Sequence, residues 1–176
     1  MARIYFSLGS NQGERLDSLV KATKFIDSLV GSVIDYSAVY ESEPWGFKAD
    51  TRFYNQVIVA ETQLSPNQAL HKILDIEKNM GRIRSGNEYC SRIIDIDILF
   101  YEADIIKSNE LEIPHPKLHL RKFVLEPLVA VAPYLIHPVL NIPVSEILIR
   151  LGSADPISIA FKSKDFALEL EKITLT

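Results

Sequence analysis

The chain has 176 residues, of which 47% are hydrophobic and 24% charged, and this composition predicts one soluble globular domain with a buried core. Its formal net charge of −4 argues against a general nucleic-acid binder, and its single cysteine, Cys90, excludes an intrachain disulfide and favours a reducing compartment. No apolar segment approaches the 18 residues of a membrane span, so we expect a cytoplasmic protein that has no nucleic-acid or membrane partner.

The first elements along the chain are predicted to be a strand, a helix and a second strand. Alternating apolar residues predict the strand over residues 4–8, and helical spacing predicts the helix over residues 14–29. The turn between them, G-S-N-Q-G, can bind phosphate at a helix start but lacks the lysine of a P-loop, so a plain turn is the commoner interpretation. Residues 33–40 are predicted to form the second strand.

Residues 41–50 contain proline, glycine and the only tryptophan, Trp45, a composition typical of a lid or a binding loop. Trp45 could cover a flat ligand there, or it could fold back on the body of the protein. The third strand, predicted over residues 53–62, places Asn55 among apolar side chains. The Asn55 amide suits recognition of a heterocycle edge, but it could equally satisfy neighbouring backbone groups.

The second helix is predicted to begin at Ser65, where an N-cap serine, a proline and Gln68 form a capping box. We expect Gly81 to end this helix. Glu77 lies at the apolar stripe or at its margin, so it points either into the protein or into solvent. The loop over residues 81–91 is rich in arginine and glycine. Because arginine forks match phosphate oxygens, we favour a phosphate-binding loop over a solvated charged segment.

The most informative stretch is R-I-I-D-I-D-I-L-F-Y, residues 92–101, which predicts a buried strand. Its side chains alternate, so Asp95 and Asp97 share one face, with Cα atoms about 6.6 Å apart. The opposite face is predicted to carry Ile94, Ile96, Ile98 and Phe100. Buried unpaired carboxylates are costly, so the pair could hold one or two Mg²⁺ ions. An edge strand with two solvated aspartates is the alternative, and the pattern leaves both open.

The remainder of the chain gives shorter signals. Residues 104–113 predict a small ribbon, and His115 follows between two prolines that restrict its backbone. A single histidine is more often structural than catalytic, although few structural roles need such rigid flanks. Residues 124–133 and 144–151 predict short helical or irregular packing segments, and the alternation around residues 166–170 is consistent with a late edge strand or an arm.

Seven short motifs occur in a specific order: L-G-S-N, Y-E-S-E-P-W-G, F-Y-N-Q-V, I-E-K-N-M-G-R-I-R, S-R-I-I-D-I-D-I-L, I-P-H-P and R-K-F-V-L-E-P-L-V-A-V-A-P. In this order and spacing the chain resembles the 6-hydroxymethyl-7,8-dihydropterin pyrophosphokinase family of folate biosynthesis over about residues 1–150. The resemblance implies an α+β, ferredoxin-like fold, with an antiparallel sheet, helices on one face and mobile substrate loops on the other. We expect one domain over residues 1–176, in which residues after about 152 form a C-terminal extension outside the resemblance.

The reaction implied by the resemblance is transfer of the terminal pyrophosphoryl group of ATP to the hydroxymethyl oxygen of the pterin, with release of AMP. Two Mg²⁺ ions would be held by Asp95 and Asp97, while Arg82 and Arg92 would stabilise charge on the transferring group. ATP contacts are implied for Glu77, Arg84, Arg92, Ile98, His115 and Arg121. Pterin contacts are implied for Ser42, Glu43, Trp45, Phe53, Asn55 and Phe123, with the ring stacked between the two phenylalanines.

The chain departs from the family's usual pattern at Glu88, Tyr89 and Cys90, which bears on how the arginine loop grips ATP. Two other functions are open: a ferredoxin-like module that binds a ligand without turnover, and a metal-dependent nucleotidyl transferase. Two metal carboxylates beside an arginine loop favour the enzyme over the module, because phosphoryl transfer chiefly needs metal, positive charge and alignment. The net charge disfavours the nucleotidyl transferase. We expect a monomer whose partners are ATP and the pterin.

Overall fold

The computed structural model describes residues 1–46, 49–82, 91–152 and 156–174. The helices and strands follow in this order: β1 (Ala2–Ser10), α1 (Arg15–Leu29), β2 (Ser32–Tyr36), β3 (Val39–Ser42), β4 (Phe53–Thr62), α2 (Pro66–Asn79), β5 (Asp95–Tyr101), β6 (Ile106–Lys107), β7 (Glu112–Ile113), a 3₁₀ turn (Leu118–Leu120), α3 (Lys122–Val131), β8 (Ile136–His137), β9 (Ile142–Pro143), α4 (Val144–Leu151), β10 (Ile157–Phe161) and α5 (Ser163–Lys172). None of the helices in these ranges has both the length and the apolar character needed to cross a bilayer.

The main sheet has the strand order β10-β3-β4-β1-β5, and every neighbouring pair is antiparallel. β2 pairs with β4 beyond the end of β3, so both strands lie along the same long partner. β1, α1, β3, β4, α2 and β5 together form the β-α-β-β-α-β unit of the ferredoxin-like folds. The predicted α+β, ferredoxin-like fold is therefore confirmed.

One face of the sheet packs against α1, α2 and α5. The larger buried side chains of this core include Ile4, Phe6, Leu8, Leu19, Ile26, Ile58, Ile73, Ile76, Ile94, Ile96, Ile98 and Phe166. The predicted start of α2 is confirmed: Gln68 donates its backbone N–H to the Ser65 hydroxyl, and Ser65 donates its own to the Gln68 side chain. At the other end Gly81 takes a φ of +89°, which glycine adopts without strain and which ends the helix as predicted.

The opposite face of the sheet is divided into a covered half and an open half. α3 and α4 cover the first, with a second buried cluster of Tyr5, Val57, Val59, Leu99, Phe100, Leu125, Leu128, Val144 and Ile147. The open half carries the side chains at the other ends of β1, β4 and β5, which are Ser7, Phe53, Asn55, Asp95 and Asp97. The polar ends of three strands are therefore left uncovered at one place.

The single strand predicted over residues 33–40 is wrong, since the chain forms two strands separated at Ser37. The Ser37 N–H donates to the Val57 carbonyl at 2.9 Å, and the Val57 N–H donates to the Ser37 hydroxyl at 3.1 Å. A side chain thus replaces a backbone group in the ladder at this point, and Ser37 is buried. The alternation of apolar and polar residues in this segment does not predict that a side chain replaces a backbone hydrogen-bond acceptor.

β5 differs from its prediction in two respects. It begins at Asp95 rather than at residue 92, and Phe100 lies on a different face. Its place at one edge of the sheet agrees with the edge-strand alternative that the sequence left open. The register shifts between the pairs Phe6↔Ile98 and Tyr5↔Phe100, so one extra residue of β5 forms a bulge. Beyond the bulge the alternation reverses, and the prediction that Phe100 shares the face of Ile98 is wrong. Phe100 instead meets Tyr5 edge-on at 6.1 Å in the second cluster.

The predicted late strand around residues 166–170 is also wrong, because these residues lie in α5. Phe166 and Leu170 are one helical turn apart and both pack against the main core, whereas Leu168 is 56% exposed. The strand of this region is β10, which pairs with β3 at the sheet edge. The predicted ribbon over residues 104–113 is confirmed as β6 and β7, and the helical segments are confirmed as α3 and α4.

Candidate active site

The open half of the second face contains a cavity of about 270 Å³. Its lining consists of Ser7, Gly9, Ser42, Glu43, Trp45, Phe53, Asn55, Arg82, Arg92, Asp95, Asp97, His115, Pro116, Lys117, Arg121 and Phe123. Nearly all of the predicted site residues are therefore brought together, from β3 and the residues after it, β4, the end of α2, β5 and the residues before it, and the start of α3 with the segment before it. Lys117 also lines the cavity, and the sequence analysis assigned it no role.

Asp95 and Asp97 project from the same face of β5 and lie opposite Gly9 and Ser7 of β1. Burial and the neighbouring Asp95 carboxylate raise the pKa of Asp97 to about 7. Because 38% of the Asp97 side chain is still exposed, we attribute the rise mainly to the repulsion from Asp95. Two carboxylates that repel each other in this way gain free energy when a cation lies between them.

Two arginines surround Asp95. The Arg82 guanidinium contacts the carboxylates of both Asp95 and Glu77, and Nη1 of Arg92 lies 3.3 Å from Oδ2 of Asp95. Burial lowers the pKa of Arg82, but the Asp95 and Glu77 carboxylates raise it above its ordinary value overall. The Nε group of Arg92 is buried and has no hydrogen-bond partner among the residues that the structure describes. The cavity therefore presents guanidinium donors beside the paired carboxylates.

Glu77 points into the protein, which decides between the two orientations that the sequence left open. Its side chain is 1% exposed, and its Oε1 atom accepts a hydrogen bond from the Ile96 N–H at 2.8 Å. The same oxygen contacts Arg82. Glu77 therefore ties the end of α2 to β5 and holds the first arginine of the site in place.

His115 lies at the rim of the cavity with its backbone N–H donating to the Leu99 carbonyl at 3.0 Å. Its Nδ1 atom accepts a hydrogen bond from the Lys117 N–H at 3.2 Å, and its Nε2 atom lies 3.9 Å from Oδ2 of Asp97. Burial and the nearby Arg121 guanidinium lower the pKa of His115 to about 4. The imidazole is therefore neutral at neutral pH, with its proton on the nitrogen that faces Asp97.

We expect the His115 imidazole to stay neutral until the pH falls to about 4. Its folded pKa lies below that of a free histidine, about 6.5, so the unfolded chain takes up a proton first as the pH falls. His115 thus reduces the folding stability between about pH 6.5 and 4 and has no effect above that window. An NMR titration of the ring nitrogens, assigned with His115→Gln, measures the midpoint. A midpoint near 6.5 would contradict the buried, neutral state.

The other side of the cavity carries aromatic rings and the Asn55 amide. The Arg121 guanidinium lies 4.8 Å from the centre of the Trp45 ring and 5.9 Å from that of Phe123, so Trp45 turns towards the cavity. Asn55 is 3% exposed and donates from Nδ2 to the Ser42 hydroxyl at 2.9 Å. This partner is a side chain, whereas the sequence alternative invoked neighbouring backbone groups. A flat ligand would meet rings on its faces and polar groups at its edge.

Two predicted contacts have a different status. Ile98 is buried in the core on the opposite face of the sheet, so only its main chain is near the site. Arg84 lies outside the described residues, as do the three departures from the family pattern at positions 88–90.

Asn11, at the end of the glycine turn after β1, was missed by the sequence analysis. It is 1% exposed, accepts a hydrogen bond at Oδ1 from the Arg92 N–H at 2.8 Å and donates from Nδ2 to the Ser91 hydroxyl at 2.9 Å. Its carbonyl accepts a bond from the Thr51 hydroxyl at 2.6 Å. Asn11 thus joins the bases of the Trp45 loop and the arginine loop. Its place in L-G-S-N was the only signal for it.

Comparison with known proteins places this site in a family. The family model for 7,8-dihydro-6-hydroxymethylpterin-pyrophosphokinase (HPPK) matches residues 5–133. A 2-amino-4-hydroxy-6-hydroxymethyldihydropteridine pyrophosphokinase of Aquifex aeolicus is 39% identical over 146 residues, which are 83% of this chain and 90% of the relative. The protein of the same name from Porphyromonas gingivalis is 43% identical over 141 residues, 78% of this chain and 95% of the relative.

Solved structures show the same fold. The wild-type HPPK-DHPS of Plasmodium falciparum with pteroate superimposes with a TM-score of 0.71 at 19% identity. The match covers 85% of this chain and 42% of that chain, so this chain spans less than half of the solved protein. The match to the family model and the two relatives lead to one conclusion. The chain belongs to the 7,8-dihydro-6-hydroxymethylpterin-pyrophosphokinase family.

Proposed function

We propose that this chain is a Mg²⁺-dependent enzyme that transfers the terminal pyrophosphoryl group of ATP to 6-hydroxymethyl-7,8-dihydropterin and releases AMP. Membership of the family gives pyrophosphate transfer from ATP to the hydroxymethyldihydropterin in folate biosynthesis. The observation that carries the residue-level proposal is one cavity whose lining includes the Asp95 and Asp97 carboxylates, three arginines and three aromatic rings.

Mg²⁺ fits the donors of this cavity. In the ranges that the structure describes, no three His, Cys, Asp or Glu side chains are grouped so that they could form an all-protein metal site. Mg²⁺ at nucleotide sites needs only one or two carboxylates, because phosphate and water complete its octahedron. Asp95 and Asp97 offer such a pair, and we propose that they hold two ions. When bound, Mg²⁺ stabilises negative charge on the phosphate oxygens as a Lewis acid.

Arg82 and Arg92 are proposed to act on the transferring group. In the reaction the pterin hydroxymethyl oxygen forms a bond to the β-phosphorus and loses its proton to solvent. The bond between the β-phosphorus and the α–β bridging oxygen breaks, and AMP leaves with the electron pair. Both guanidinium groups contact Asp95 in the structure. Phosphate oxygens are acceptors of matching geometry, so the two arginines would exchange a carboxylate for phosphate and stabilise its charge in the transition state.

The aromatic side of the cavity is proposed to bind the pterin. The ring would stack between Phe53 and Phe123, while Asn55, Ser42 and the neighbouring residues Glu43 and Trp45 read its edge. The Asn55–Ser42 hydrogen bond of 2.9 Å supports this assignment, because it orients the amide before the ligand binds.

The nucleotide is proposed to bind on the side of the cavity nearer β5. Glu77 would act here through its contact with Arg82, and Ile98 through its main chain. His115 and Arg121 are the other proposed contacts. Both lie 3.9 Å from Oδ2 of Asp97, so they border the proposed metal site and the phosphates that would occupy it. Arg84 is proposed as a further phosphate contact from the resemblance alone.

Product analysis tests the proposed function. The protein is mixed with Mg²⁺, ATP and 6-hydroxymethyl-7,8-dihydropterin, with parallel mixtures that lack the pterin or contain EDTA. We expect AMP and a pyrophosphorylated pterin in equal amounts, and neither product in the controls. Formation of ADP would indicate an ordinary kinase. Binding of the pterin with no nucleotide product would indicate a ligand-binding module.

Asn11→Ala is expected to lower kcat by about 10-fold to 10²-fold, because a small misplacement of reacting groups is costly. The substitution removes the side-chain bonds to Ser91 and to the Arg92 N–H, so the link to Arg92 is reduced to the main-chain bond from the residue 11 N–H to the Arg92 carbonyl. Steady-state kinetics and urea unfolding measure activity and stability separately. Asn67→Ala, at the exposed start of α2, is the matched control. A folded Asn11→Ala enzyme with unchanged kcat would contradict the anchoring role.

We also propose that the enzyme is a cytoplasmic monomer whose partners are its two substrates. The single cysteine and the net charge of −4 support this assignment. Light scattering of the purified protein, with and without both ligands, measures its mass. A mass of two chains under either condition would contradict the monomer.

A further inference from the structure

Residues 156–174 lie beyond residues 5–133, which the family model matches, and they form an integral part of the domain. Phe166 of α5 is fully buried in the main core and meets Tyr36 edge-on at 5.4 Å. Phe161 of β10 meets Tyr54 of β4 edge-on at 5.7 Å. These contacts fasten the segment to the sheet on both sides of Lys162. The segment therefore has a defined position relative to the cavity.

β10 completes the sheet next to β3, the strand that carries Ser42. The register pairs Ile157 with Ser42 and Ile159 with Tyr40. Residues opposite each other on neighbouring strands share a face, so Ile157 lies on the cavity face beside Ser42. On its other side β3 pairs with β4 only from Tyr40↔Asn55 to Ser42↔Phe53. A pairing of only three residues on each strand has marginal stability by itself. The pairing with β10 is therefore a substantial part of what holds β3 in position.

The position of β3 decides the geometry of the cavity's aromatic side. Ser42 is 7% exposed, and its hydroxyl accepts the hydrogen bond that orients the Asn55 amide. Glu43 and Trp45 follow directly in the chain and also line the cavity. Asp95, Asp97 and the segment after Arg92 lie at β5, which is the opposite edge of the sheet. A displacement of β3 would therefore alter one half of the cavity and leave the other in place.

We propose that β10 is a positioning element of the pterin subsite: by pairing with β3, it holds Ser42, and through Ser42 the Asn55 amide, in the orientation that binds the pterin. The inference rests on the proposed function. It assigns β10 no contact with the reacting atoms, so pterin affinity depends on β10 whereas nucleotide affinity and the chemical step do not.

The test compares Ile159→Pro with Ile159→Thr in the full chain. Ile159 is 56% exposed, so neither change removes a core side chain. Proline lacks the backbone N–H and disrupts strand pairing, whereas threonine keeps the N–H and suits a strand. Calorimetry measures the Kd of a non-hydrolysable ATP analogue with Mg²⁺ and then the Kd of the pterin with that analogue bound. Product formation at saturating substrates gives kcat.

We expect Ile159→Pro to weaken pterin binding by about 10-fold or more, the equivalent of one misplaced hydrogen bond. Nucleotide affinity is expected to change by less than about 2-fold and kcat by less than about 3-fold, and Ile159→Thr is expected to resemble the wild type. Hydrogen exchange of the Tyr40–Ser42 amides shows whether the pairing is lost. Ser158→Pro is the second variant, because the N–H groups of successive strand residues point to opposite sides and Ser158 also pairs with β3, opposite Glu41. It applies if Ile159→Pro leaves the pairing intact.

Four outcomes would overturn the inference. Unchanged pterin affinity after loss of the pairing shows that β10 does not position the subsite. Equal losses of pterin and nucleotide affinity show a general structural role, as does a proline variant that fails to fold. A folded Ser158→Pro variant that loses the pairing and binds the pterin normally also shows that β10 does not position the subsite. A wild-type protein that binds the nucleotide but no pterin overturns the proposed function itself.

Discussion

Asp97→Ala is expected to lower kcat by at least ~10³-fold, because metal stabilisation of the transferring phosphate contributes several kcal/mol to the transition state. Asp97 lies on the cavity face of β5 and is 38% exposed, so its removal opens no cavity in the core. The substitution also removes the repulsion between the Asp95 and Asp97 carboxylates, to which we attribute the raised pKa of Asp97 in the wild type. The folding stability is therefore expected to be unchanged or higher. AMP formation at saturating Mg²⁺, ATP and pterin, together with urea unfolding, measures both effects.

Two variants control this experiment. Asp97→Asn keeps the size of the side chain and removes its charge, and it is expected to be nearly as inactive as alanine. Asp104→Ala removes an exposed carboxylate just beyond β5 and is expected to keep wild-type activity. Near-normal turnover by Asp97→Ala in the folded state would refute the proposal that Asp97 holds a metal ion.

Arg82→Ala is expected to lower kcat by ~10²-fold or more, with a much smaller change in ATP affinity. The reason is that Arg82 contacts Asp95 and Glu77 in the structure, so its guanidinium stands beside the proposed metal site. A donor that strengthens its contact as charge develops on the phosphate affects the rate more than the binding. Single-turnover measurements of AMP formation give the rate, and calorimetry gives the ATP affinity.

The same substitution also affects folding, and the two effects can be separated. Glu77 is 1% exposed, and loss of Arg82 removes a cation from this buried carboxylate, at a cost of about 3 kcal/mol. The double variant Glu77→Gln with Arg82→Ala should recover stability without recovering kcat. Arg3→Ala, which removes an exposed partner of Glu61, is the neutral control. Equal losses of ATP affinity and kcat for Arg82→Ala would make Arg82 a binding residue only.

Much of the fold could be predicted because its signals are local. The helix start at Ser65 depends on groups within three residues, and the period of the apolar side chains identifies α1 and β4 without knowledge of their neighbours. The predictions that are wrong involve partners distant in sequence. Ser37 interrupts a strand by bonding to Val57, and Phe100 changes face because β5 bulges against β1. The alternation of residues within one strand does not predict its contacts with Val57 or with β1.

The candidate site shows the same division between local chemistry and tertiary packing. The sequence by itself determined the chemical character of the site, because carboxylates two residues apart on a strand, an arginine-rich loop and the order of seven motifs are properties of the chain. Only the tertiary structure decided that Glu77 points inward, that Asn11 joins the bases of two loops and that β10 pairs with the strand that carries Ser42. Each of these depends on hydrogen bonding or burial between segments that lie far apart in sequence, and side-chain spacing does not encode such pairings.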